Sequence, residues 1–214
     1  MLSKSAVLLS AKLTTVVTDM PEKCDIRFAV ICSSNQNRSM EAHAVLAKKG
    51  FNVRSFGSGN QVKLPGPAPN QPNVYDFNTP YEVMYQELLN KDKSLYTQNG
   101  ILHMLDRNRR IKDHPERFQT NRDKFDVIFT AEERVYDQVV EELLTRTPTD
   151  NTPVHVINMD IQDNHEEATV GAFKFLELAT LLSQCQDLDN EIDELVLEFE
   201  SRTERTIFHT IGFQ

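Results

Sequence analysis

The chain has little cysteine: three residues in 214. That is too few for a disulfide scaffold, and a reduced, intracellular setting fits better. Apolar runs are short, and none approaches the roughly 20 residues of a membrane helix. There are seven glycines, but no Gly-x-Gly-x-x-Gly or Gly-Lys-Ser/Thr motif, so a nucleotide phosphate loop has no support. Six histidines show no metal-ligand spacing and no His-Glu-x-x-His, and nothing calls for a metal or a cofactor. Positive charge is also in deficit. Lys and Arg number 23 against 32 Asp and Glu, for a formal net charge of -9. This excludes a nucleic-acid-binding surface spread over the whole protein, though it leaves room for a local basic patch. Near the start, Lys4 and Lys12 flank only a short apolar stretch, without arginine or a clear cleavage site. Residues 1–24 are therefore read as a disordered extension rather than a targeting peptide, and 25–214 as one domain.

What is present centres on one stretch. Residues 26–31 are a mostly apolar run, and Cys32-Ser33-Ser34-Asn35-Gln36-Asn37-Arg38-Ser39 follows. An amphipathic run over 40–49 comes next, with Gly50 as its stop. Strand, tight polar loop and helix are the implied order. Such a loop collects a thiol, a ring of backbone N–H groups and a fixed positive charge, which is what a tetrahedral oxyanion needs. A helix N-terminus and Arg38 both favour the nucleophilic thiolate of Cys32. Ser33, Ser34, Asn35, Gln36 and Asn37 suit an anion nest, and Arg38 adds a planar fork for two phosphate oxygens. Ser39 is placed to donate to the sulfur.

The rest of the chain alternates. Strands are expected over 25–32, 52–56, 125–130 and 154–159, with a closing edge strand over 206–213. Helices are expected over 39–49, 81–90, 94–106, 132–144, 167–182 and 189–201. Five of the nine prolines fall in residues 60–80, which reads as an ordered surface loop, with Thr79 capping the next helix. Arg107 to Lys112 form a basic cluster, read as a solvated helix end with a polyanion contact as the alternative. This order gives an α/β fold, a three-layer α/β/α sandwich on a mainly parallel central sheet. Its ligand site lies beyond the carboxyl ends of the strands. The Cys32 loop, the loop after Thr130 and the loop after Met159 then share one rim. The last of these contains Asp160 and Asp163. Asp163 is favoured as general acid and then base, with Asp160 as support or alternate. Cys24 lies eight residues before Cys32, about 26 Å away along an extended strand, too far to bridge.

These residues resemble a known family. The stretch from Cys32 through His43, Lys63-Leu64-Pro65-Gly66, the run from Tyr96 to Asn108, and the run from Val154 to Asp160 look like the Ssu72 phosphatases. The resemblance runs from about residue 26 to the C-terminus. It implies a fold similar to low-molecular-weight tyrosine phosphatases with added elements. It implies hydrolysis of phosphoserine in the heptads of the RNA polymerase II C-terminal domain. The fifth-position serine is read with its proline in cis, and the seventh-position serine is secondary. It also implies a nuclear role in transcription and RNA 3′-end processing, with symplekin and the cleavage and polyadenylation machinery as partners. Cys32 carries over as nucleophile, Arg38 as phosphate clamp, Ser39 as sulfur partner and Asp163 as acid. Lys63, Leu64, Pro65, Tyr96, Leu102 and Met104 match the region that would hold the peptide. Two rivals remain. A tyrosine phosphatase of the same fold is disfavoured because its Asp-Pro-aromatic acid loop is absent. A scaffold that binds phosphorylated tails without hydrolysing them, with helices 132–144 and 189–201 as partner surfaces, ranks below the enzyme because nucleophile, clamp and acid candidates are all present.

Overall fold

The computed structural model describes residues 25–214; the N-terminal extension and Cys24 lie outside them. Five strands form one sheet: β1 (Arg27–Cys32), β2 (Asn52–Gly57), β5 (Val127–Thr130), β6 (Pro153–Met159) and β7 (Ile207–Phe213). Their order is β2-β1-β5-β6-β7, and only β7 runs antiparallel to its neighbour. Strand β1, paired along both edges, explains the layering. Phe28, Val30 and Cys32 join one apolar cluster, while Ala29 and Ile31 join another. This period of two divides the side chains between two covered faces. Helices α1 (Arg38–Lys48), α5 (His165–Leu182) and α6 (Leu188–Thr203) supply the first face, and α4 (Glu133–Thr145) the second. Phe175 of α5 is fully buried and stacks on Phe129 with ring centroids 4.9 Å apart. Its truncation to alanine should cost about 3–5 kcal/mol.

A third, smaller core accounts for the added elements. It is built by α2 (Tyr81–Gln98), α3 (Ile101–Ile111) and a two-stranded hairpin of β3 (Val62–Leu64) and β4 (Asn73–Tyr75). Met40 of α1 joins it to the main body. Gly100 separates the two helices with φ +78, a left-handed backbone that favours glycine.

Several expectations are corrected here. The proline-rich segment contains the hairpin and is not only loop. Helix 81–90 continues to Gln98 across a kink at Asp92. Thr79 is not its cap: Pro80 holds that position, and the N–H of Tyr81 donates to the carbonyl of Asp113 at 2.8 Å. The basic cluster is mostly consumed by internal pairing. Arg107 pairs with Glu41, Arg109 with Glu82 and Asp106, Arg110 with Asp106, and Lys112 with Glu116. A polyanion surface is not what these side chains build.

Candidate active site

The register places the carboxyl ends of the strands at one edge. Cys32 pairs with Gly57, Ile31 with Thr130, and Thr130 with Asn158. The Cys32 loop leaves this edge and enters α1 at Arg38. Its carbonyl groups are tied outward. Cys32 O accepts from Ser58 N at 3.0 Å, Ser33 O from Gly59 N at 2.9 Å, and Asn35 O from Tyr81 Oη at 2.6 Å. Gln36 O accepts from Arg107 Nη2 at 2.7 Å and Asn108 Nδ2 at 2.9 Å. Among the described residues the amide N–H groups of 33–37 donate to no partner, so these donors are left for an anion. Burial holds the Tyr81 phenol well above its ordinary pKa, so it remains a donor. Gly57 permits the close approach of β2: a Cβ there would lie 2.8 Å from both the Ser33 carbonyl oxygen and the Phe77 ring.

Asn35 is the loop's left-handed residue, with φ 53. Its side chain accepts from Glu116 N and donates to Ser39 Oγ, each at 3.0 Å. That second bond orients Ser39. Its oxygen accepts that bond, and against a Cys32 thiolate, which has no proton to give, the Ser39 hydroxyl donates to Sγ, 3.1 Å away.

Arg38 is 4% exposed. Its Nη1 donates to Ile161 O at 2.9 Å and Ala131 O at 3.3 Å, and its Nη2 meets Glu132 Oε2 at 2.8 Å. Of its five N–H donors, Nε–H and one on Nη2 remain. Nε is buried and has no hydrogen-bond partner, with Asp163 Oδ1 at 3.5 Å. Those two donors are left for a ligand, in a number that suits two oxygens of a phosphate. Burial works against the charge, but Cys32, Asp163 and Glu132 outweigh it and raise the pKa of Arg38.

Above the loop lies a cavity of about 260 Å³. Cys32, Ser34, Gln36 and Asn37 line its base. Asp163 lines one side, and Lys63, Leu64, Pro65 and Met104 line another. Ser33, Asn35, Arg38 and Ser39 do not line it; the last three are buried. Tyr96 and Leu102 do not reach the cavity either. Both belong to the small core. Tyr96 acts at one remove: Asn73 Nδ2 lies 3.1 Å from its hydroxyl and donates to Pro65 O at 2.9 Å, bracing that wall. Asp160 sits apart from Asp163. Its carboxylate accepts from Asn158 Nδ2 at 3.0 Å, and it lines a different hollow with Arg205 and Phe208. The chain after Met159 uses Ile161 O to hold Arg38, and only then turns Asp163 back over the loop.

Sequence reading missed other residues. Asn99, Ile101, Asn164 and His165 also line the cavity. Glu132 was detectable in principle, since it follows the strand end at Thr130 on the rim. Among the described residues no group of three or more His, Cys, Asp or Glu side chains is placed to hold a metal ion, and no helix is long and apolar enough to cross a membrane.

The family model described as Ssu72-like protein matches residues 26–214. A relative from Xenopus laevis, the RNA polymerase II C-terminal domain phosphatase SSU72, is 67% identical over 188 residues, covering 88% of this chain and 97% of the relative. Its Homo sapiens counterpart is 65% identical with the same coverage. A crystal structure of D. melanogaster Ssu72 and symplekin bound to a cis peptidomimetic CTD phospho-Ser5 peptide is 55% identical. It superposes with TM-score 0.87, covering 89% of this chain and 99% of that chain. A Drosophila melanogaster structure of the serine phosphatase of the RNA polymerase II CTD gives 57% identity and TM-score 0.87, covering 88% and 100%. A match that runs through the thiol loop, the acid segment and the closing strand, over relatives covered almost end to end, makes this chain a member of the Ssu72 family.

Proposed function

We propose that this protein removes phosphate from phosphoserine-proline sites of the RNA polymerase II C-terminal domain through a cysteinyl-phosphate intermediate. The fifth-position serine is the main site and the seventh a secondary one. The observation that carries the chemistry is the convergence at one point of four groups. These are the Cys32 thiol, the Ser39 hydroxyl at 3.1 Å, the buried unpartnered Nε of Arg38, and Asp163 on the cavity wall.

In the first step Cys32 Sγ attacks phosphorus and the P–O bond to serine breaks. The proton on Asp163 passes to the seryl oxygen. In the second step water attacks the thiophosphate, its proton returns to Asp163, and the P–S bond breaks to restore the thiolate. The free amides of 33–37 and the Nε edge of Arg38 hold the phosphoryl oxygens through both steps. The scheme needs no metal. Leu64, Pro65, Ile101 and Met104 supply an apolar wall beside the nucleophile, suited to a proline next to the phosphoserine.

The names of the relatives support the substrate, and the D. melanogaster complex supports symplekin as a partner. Such an enzyme has a nuclear role in transcription and RNA 3′-end processing, and we place this chain in the nucleus. The test compares phosphoserine heptad peptides with a phosphotyrosine peptide, with and without a chelator. Chelator-resistant release from the phosphoserine peptide is expected. Preference for phosphotyrosine would assign a tyrosine phosphatase, and inactivity on both would assign a scaffold.

A further inference from the structure

We infer that Asn37 is a positioning residue for the acid: its side chain holds Asp163 over the nucleophile and selects which carboxylate oxygen moves the proton. The inference rests on the reading of Asp163 as general acid and base.

Asn37 occupies the N-cap position of α1, where asparagine ordinarily accepts a bond from the first turn of the helix. Here it makes no side-chain cap bond. Its Nδ2 instead donates to Asp163 Oδ1 at 3.0 Å, across 126 positions of sequence. Its Oδ1 is buried and has no partner. A side chain that forgoes its local bond and leaves an acceptor unmade is committed to the distant one. Asp163 needs such a tether. It is 60% exposed, in the loop between β6 and α5.

The tether also distinguishes the two oxygens. Asn37 Nδ2 donates to Oδ1, while Arg38 Nε lies 3.5 Å from the same oxygen without a hydrogen bond to it. A donor on one oxygen keeps the proton off it, so the transferable proton sits on Oδ2. That proton passes to the seryl oxygen as the P–O bond breaks, and Oδ2 takes one from water in the second step. Because Asn37 adjoins Arg38, the acid and the phosphate clamp are registered to each other through one peptide unit.

The leaving group separates this role from mere upkeep of the loop. A seryl oxygen must be protonated as it leaves, whereas p-nitrophenolate need not be. The experiment measures single-turnover cleavage of a phosphoserine heptad peptide and the burst of p-nitrophenol from p-nitrophenyl phosphate. Asn37→Ser retains capping ability but is too short to reach Asp163. It should lose about tenfold more on the peptide than on the aryl ester, a fraction of the ~10²–10⁴ supplied by a positioned acid. Asn37→Gly, also a tolerated N-cap, removes the tether without adding charge, and should show the same selective loss if the serine variant folds poorly. Equal losses on both substrates, together with weakened inhibition by inorganic phosphate, would overturn the inference. Asp163→Asn is run in parallel. If it is selective and the Asn37 variants are not, only the inference falls. If it too is unselective, the assignment of the acid falls with it.

Discussion

Removal of the Ser39 hydroxyl should separate the two chemical steps. Ser39 is fully buried, and its oxygen accepts from Asn35 Nδ2 at 3.0 Å while its proton faces Cys32 Sγ at 3.1 Å. In the first step the sulfur is the nucleophile, and a hydrogen bond to it only tempers its attack. In the second step the sulfur leaves as thiolate, and the same bond stabilises the departing charge. A hydrogen bond to a charged group is worth about 1.5–3 kcal/mol, which converts to roughly 10- to 100-fold in rate. Ser39→Ala should therefore slow breakdown of the cysteinyl phosphate by about that factor and leave its formation much less affected. Rapid-quench kinetics on an aryl phosphate reads this as a retained burst followed by a depressed steady rate. Intact-mass measurement reads it as accumulated phosphoenzyme. Equal slowing of both phases, with no accumulation, would refute the assignment of Ser39 as sulfur partner.

Three further outcomes follow from the geometry. Asp163→Asn should lower turnover of the phosphoserine peptide by about 10²-fold or more, while Asp160→Asn, whose carboxylate lies outside the cavity, should change it little; the reverse order would reassign the acid. Tyr81→Phe removes the 2.6 Å bond that anchors Asn35 O. It should cost about 1–3 kcal/mol of stability by urea titration, and no loss would show that the loop is held by its other bonds alone. His43 is partly buried against Ser55, and burial first, then the charge of Lys112, lowers its pKa from 6.5 to about 4. The unfolded chain binds the extra proton between those values, so stability is fully present above pH 6.5 and is lost as pH falls toward 4. The loss from this group between pH 7.5 and 5 is about 2 kcal/mol, and His43→Gln should flatten that slope in urea midpoints.

The parts of the fold legible in the sequence are those set by local pattern. The apolar run in Arg27–Cys32, the stop at Gly50 and the apolar stripe of α4 identify their elements without help from distant residues. The loop was legible for the same reason, because a thiol, polar filler and Arg-Ser fall within eight positions. What sequence reading missed depends on contacts between distant segments. Arg107 looks solvent-facing until Glu41 and the carbonyls of Gln36 and Asn37 are brought to it. The three-residue strands of the hairpin are too short to show alternation, and their pairing places Leu64 against Asn73 across a proline-rich turn. Tyr96 and Leu102 fall within a matching motif, yet they pack in the small core and only support the wall formed by Pro65. Asp160 and Asp163 are three residues apart and alike in composition. Spacing from the strand end favours Asp163, and the path of Ile161, drawn in to meet Arg38, is what brings it to the cavity above Cys32.

The central claim is that phosphate passes through the sulfur of Cys32. Rapid acid quench of the enzyme with a phosphoserine heptad peptide, followed by mapping of the phosphorylated residue, tests it directly. The account predicts phosphate on Cys32, an increased yield in Ser39→Ala, and neither intermediate nor phosphate release in Cys32→Ser. Phosphate release by Cys32→Ser at the rate of the unaltered protein would contradict it.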